Sequence, residues 1–131
     1  MNTTLRTTLA AAAAALLLTA CPTVPIYNVS DAPITTTSGK HLTAGQVRQA
    51  IITAGTSLGW AVTDEGPGRL LGTLHLRTHV AVVDIPYSST KFSIVYKSSE
   101  NLNAEGGNIH KNYNGWIQNL DRQIRTEISR M

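Results

Sequence analysis

The sequence predicts an α+β domain in the order α-β-β-β-β-α, a four-stranded antiparallel meander flanked by two helices packed on one face. Three observations carry this. Apolar residues recur at spacings of three and four from Val47 to Leu58. The period changes to two between Trp60 and Lys97, where turn-forming clusters interrupt it. It returns to three and four from Ile109 to Ile128. A chain of 131 residues with 42% hydrophobic and 15% charged side chains lies in the globular range, and one domain is the expectation at that length.

The first twenty residues stand apart from the domain. Thirteen of them are hydrophobic, and Arg6 is the only charge ahead of the run Leu9 to Leu18. A basic start followed by an apolar stretch of this size is a secretory signal, too short to span a bilayer that needs about 20 apolar residues. The stretch ends in Leu18-Thr19-Ala20-Cys21, which resembles a bacterial lipobox: a branched aliphatic, two small residues and the cysteine that is acylated before cleavage. The resemblance implies a signal peptide over residues 1–20 and a mature chain that begins at an acylated Cys21. Cys21 is also the only cysteine, so an internal disulfide or a cysteine-rich zinc site is excluded. Several acyl chains give a stable anchor where one alone is marginal. Pro22 follows the cysteine in place of the aspartate that would resemble an inner-membrane retention signal, so the resemblance implies the outer membrane, with the inner membrane less favoured.

Residues 21–40 read as a lipidated N-terminus and a flexible tether. They contain Pro22, Pro25, Pro33 and the polar run Thr35-Thr36-Thr37-Ser38-Gly39. Such a coil of about 20 residues would reach roughly 25 Å and hold the domain off the lipid surface. Ile26, Tyr27, Val29 and Ile34 are more than a tether needs, and the alternative is that residues 24–30 dock as an edge strand.

The single periplasmic domain is expected over residues 41–131. Thr43 with Gln46 three positions later forms a capping-box pattern, and Leu42 with Val47 a hydrophobic staple, so a helix begins after Thr43. Val47, Ala50, Ile51, Ala54 and Leu58 make its apolar stripe, and Gly59 ends it. Trp60 to Thr63 forms a short strand before the turn cluster Asp64 to Gly68. Three longer strands follow, Leu70 to Arg77, His79 to Tyr87 and Lys91 to Lys97. The link Arg77-Thr78 lacks the glycine or asparagine that tight hairpins favour. Ile109, Tyr113, Trp116, Ile117, Leu120, Ile124 and Ile128 then share one face of a final helix, capped by Asn108 or by Asn112.

Four groups of residues could carry chemistry. Gly55-Thr56-Ser57-Leu58-Gly59 matches the spacing of a nucleophile elbow, but that device needs a strand before a helix and here the order is reversed. His75 and His79, four apart on extended chain, lie about 13 Å from each other, and no metal or cofactor is expected. Arg77 and His79 flank a strand junction where a guanidinium fork could hold an anion; equally, Asp84 could pair with them to neutralise a half-buried charge. The densest group runs from Tyr96 through His110, Tyr113, Asn114, Gly115 and Trp116. Asparagine, glycine and histidine are poor helix formers, and propensity sacrificed within one turn marks a functional or closely packed place. On the packing reading, Tyr113 and Trp116 are core, Asn114 bonds a loop carbonyl and Gly115 lets the helix approach the sheet.

The run Arg77-Thr78-His79, Phe92 to Tyr96, Ser99, Asn101-Leu102 and Ile109 to Ile117 through Leu120 resembles a group of small Gram-negative lipoproteins. This resemblance implies one recurrent periplasmic domain and carries no catalytic residue with it. The leading expectation is therefore a lipid-anchored, non-enzymatic binding or assembly module. Its partners would be membrane lipid through Cys21 and an envelope protein or peptidoglycan. Without Arg6 the balance is ten basic against eight acidic residues, with no basic stripe interleaved with aromatics, so nucleic acid is not expected. The alternative is a small-ligand-binding or hydrolytic domain using His110, Asn114 and Tyr113, with Arg77 and His79. It requires these side chains to converge on one concave pocket.

Overall fold

Thr43 opens the first helix through the reciprocal bonds that its sequence calls for. Its Oγ1 accepts the Gln46 N–H at 3.2 Å, and Gln46 Oε1 accepts the Thr43 N–H at 2.9 Å. In this computed structural model, which describes residues 22–131, helix α1 spans Ala44–Ser57 and buries Val47, Ala50, Ile51, Ala54 and Gly55. The signal segment and Cys21 lie outside the described residues. Leu58, expected in the buried stripe, is instead the C-cap and is 38% exposed, because Gly59 at φ +87° turns the chain away directly after it.

The period-two region folds as the meander β3 (Trp60–Asp64), β4 (Arg69–Leu76), β5 (His79–Pro86) and β6 (Lys91–Glu100). The sheet has five strands rather than the expected four, because β2 (Val29–Pro33) adds to the β6 edge. All neighbours are antiparallel, in the order β2-β6-β5-β4-β3. A second, two-stranded sheet pairs β1 (Thr23–Pro25) with β7 (Asn108–His110), and helix α2 (Lys111–Ser129) completes the chain.

Alternation along the strands sends Trp60, Leu70, Leu74, Ala81, Val83, Ile85, Phe92 and Ile94 into the core. Both helices lie against that face. A Cβ on Gly55 of α1 would come within 2.6 Å of Val62 Cγ2 and 3.6 Å of Trp60 Cβ, so this glycine sets how closely α1 approaches β3. Arg125 of α2 stacks over the Phe92 ring at 5.7 Å.

The segment expected as a flexible tether is bound to the domain from Thr23 onward. Val29 and Ala32 are buried in the main core, and Ile26 and Ile34 pack against it. Thr37 donates its N–H to Ser129 O at 3.2 Å, and Thr36 Oγ1 donates to Lys40 O at 2.9 Å. The apolar residues that a tether did not need are thus the reason for the difference. The expected edge strand over 24–30 is split in two: its start lies in β1, paired with β7, and its end in β2 (Val29–Pro33), which forms the edge on β6. Pro33 ends β2 at an edge where no ladder donor is lost. The extra residue of a bulge between Val29 and Ala32 places Asp31 at φ +49°.

Candidate functional site

Asn114 lies on the first full turn of α2, where its amide meets the backbone linking β1 to β2. Its Oδ1 accepts the Tyr27 N–H at 3.0 Å, and its Nδ2 donates to Pro25 O at 2.9 Å. Both ends of the amide are used where the chain leaves β1, at Pro25 and Tyr27. Asn28, which sequence reasoning did not single out, does the reciprocal job from the other side: its Oδ1 accepts the Tyr96 N–H at 2.9 Å. The poor helix former at position 114 is explained by this clasp.

His110 caps α2. Its Nδ1 accepts the Asn112 N–H at 3.2 Å, and its own N–H donates to Leu102 O at 2.8 Å. The expected cap at Asn108 or Asn112 is displaced because Ile109 is held extended opposite Val24 in the β1-β7 pair. Tyr113 is fully buried, edge-on to Tyr96 with centroids 5.6 Å apart, and its hydroxyl has no hydrogen-bond partner among the described residues. Burial, and secondarily the neighbouring Tyr96, hold its phenol well above the ordinary range. Tyr96 itself shares a hydrogen bond with Ser99 at 2.9 Å. A Cβ at Gly115 meets nothing within 4 Å, so the expected close helix-to-sheet contact is absent there and nothing in the structure explains this glycine.

His79 and Trp116 do come together, with ring centroids 6.3 Å apart. His79 Nδ1 lies 2.7 Å from Asn101 O. A carbonyl only accepts, so this nitrogen carries the proton. Asn101 in turn donates its Nδ2 to Thr78 O at 2.7 Å, which ties the β4-β5 turn to the end of β6. Beside Trp116 is a shallow hollow of about 80 Å³ lined by Leu58, Trp60, Leu74 and Asn119. Larger hollows of about 160 and 190 Å³ lie at the other end of the domain, around Lys91 and Arg125. All three are smaller than the roughly 300 Å³ at which small-molecule sites begin.

Of the six residues singled out in the sequence, Arg77, His79, His110, Tyr113, Asn114 and Trp116, only Trp116 lines any of these three hollows among the described residues. Arg77 stands exposed in the β4-β5 turn at φ +57°. It does not meet Asp84, which pairs with Arg69 at 3.1 Å and Lys97 at 3.7 Å. The register explains the change of partner: Asp84 lies opposite Leu71 and Val95, near the other end of the sheet from Arg77. Asp84 Oδ1 makes these ion pairs without a well-aligned hydrogen bond. Ser57 ends α1 and donates its Oγ to Ala54 O at 2.7 Å. His75 and His79 point to opposite faces of the sheet, and among the described residues no three of His, Cys, Asp and Glu converge on a point. No helix among the described residues is long and apolar enough to cross a membrane. No family model matches the chain, and neither a curated protein nor a solved structure matches it.

Proposed function

We propose that this is a lipid-anchored envelope protein, acylated on Cys21 and held in the outer membrane with its domain facing the periplasm. There it serves as a non-enzymatic binding or assembly module. The observation that carries the reading is Leu18-Thr19-Ala20-Cys21 placed directly after an apolar stretch with a basic start. The geometry supports the non-enzymatic part, because the polar side chains a site would draw on are occupied in holding the fold. Asn114 is engaged by backbone at both ends of its amide, His110 caps a helix, and Tyr113 is closed off from solvent. The partner is then an envelope protein or peptidoglycan, in addition to lipid.

The test is metabolic labelling with a palmitate analogue in a Gram-negative host. The wild type incorporates label and fractionates with the outer membrane, whereas Cys21→Ser takes up none. Equal labelling of the two, or a soluble wild type, overturns the anchor. Envelope crosslinking that recovers only the free protein overturns the binding role.

A further inference from the structure

We infer that the domain rests directly on the lipid surface, by the end that carries the start of α2 and the β4-β5 turn. The inference rests on acylation of Cys21. Thr23 is paired with His110, and Cys21 is two residues earlier, so the anchor attaches within about 7 Å of a strand held in register. A free coil of about 20 residues would have given a reach of roughly 25 Å instead. The Asn114 clasp on Pro25 and Tyr27 locks that attachment point beside the first turn of α2.

Chain direction gathers several features at the same end. Helix α1 runs toward it, finishing at Leu58 before Trp60 pairs with Leu74, whereas α2 starts there. Leu58 and Leu76 are 38% and 45% exposed, with half-buried Trp116 close by. Indole and aliphatic groups at a protein end suit the interfacial zone of a bilayer. Arg77 and Lys111 are exposed and, among the described residues, in no ion pair. Glu100 and Glu105 lie at the same end and balance these two cations, so net charge does not select the end; the short attachment and the exposed apolar groups do, and Arg77 and Lys111 are free to meet headgroup phosphates. Each contact is weak alone. Tethering makes them intramolecular, and a high effective concentration lets weak contacts fix one orientation.

The test uses the full acylated protein in vesicles of phosphatidylethanolamine and phosphatidylglycerol. Acylation occupies the only native thiol, so a fluorophore can be attached at Asn112→Cys, near the anchor, or at Ser89→Cys, at the far end. Helix α2 alone separates the two ends by about 28 Å, so a headgroup-linked quencher should act severalfold more strongly on the label at 112. Combining Arg77→Glu with Lys111→Glu should reduce that difference, and more so with phosphatidylglycerol present than in phosphatidylcholine alone. Equal quenching at both sites in a protein that carries acyl label overturns this inference and leaves the anchor standing. The same holds if the label at 112 becomes shielded only when envelope proteins are added. Absence of acyl label overturns both.

Discussion

Asn114 and Tyr27, 87 residues apart, are joined by a side chain standing in for a strand: the Asn114 amide receives the Tyr27 N–H and returns a hydrogen bond to Pro25 O. Replacing Asn114 by Ala strands both backbone groups. The site is partly open to water, so the expected loss is about 1 to 2 kcal/mol, read as a lower urea midpoint. Amide exchange at Tyr27 should accelerate more than exchange in the β4-β5 ladder. An unchanged rate at Tyr27 would mean that the clasp does not hold the segment.

Two glycines on the two helices should respond oppositely to the same change. At Gly55 the new methyl would stand 2.6 Å from Val62 Cγ2 and 4.0 Å from Leu120 Cδ1. Valine has no flexible end to move aside, so α1 must shift, and the expected cost is about 1 to 3 kcal/mol, larger than alanine's helical advantage. At Gly115 nothing is within 4 Å, and Gly115→Ala should stabilise by about 0.5 to 1 kcal/mol. Thermal melts of the two variants beside the wild type check both signs.

How far the sequence was legible follows from how local each signal is. The capping box at Thr43 and Gln46, the staple of Leu42 and Val47, and the period-two strands are interactions among near neighbours, and α1, β3, β4, β5 and β6 form where they predict. The β1 and β2 segments were not, because their partners lie far along the chain: Val24 pairs with Ile109, and Val29 with Ile94. Three prolines and a threonine run read as a tether until those partners are known. The same limit applies to the site. Unfavourable helix formers at 110 and 114 did mark a place of close contact. What Asn114 contacts is a backbone 87 residues away, which no local pattern encodes.

The buried hydroxyl of Tyr113 gives a pH-dependent prediction. It has no partner among the described residues, so Tyr113→Phe removes a desolvated polar atom and should be neutral or stabilising by up to about 1 kcal/mol near neutral pH. The folded state holds this phenol above its ordinary value of 10.0. The unfolded chain therefore ionises first as pH rises. Stability is full below about pH 10 and falls above it. Urea midpoints measured at pH 8 and at pH 11 should draw closer together in Tyr113→Phe than in the wild type. An unchanged gap would mean that Tyr113 does not contribute to the alkaline loss.

Arg77 separates stability from contact with lipid. It occupies the first position of a two-residue hairpin turn at φ +57°, a conformation that costs an L-residue with a Cβ about 1 to 2 kcal/mol more than glycine. Its side chain is exposed and makes no ion pair among the described residues, so little is lost when it is removed. Arg77→Gly should therefore raise the unfolding free energy by about 1 kcal/mol, after allowance for the greater freedom of glycine in the unfolded chain. The same variant should weaken the association of the end near Lys111 with anionic vesicles. Arg77→Asn, which tolerates positive φ and also lacks the charge, should weaken it equally. A variant that gains stability yet keeps the wild-type response to phosphatidylglycerol would show that the strained cation has no part in lipid contact.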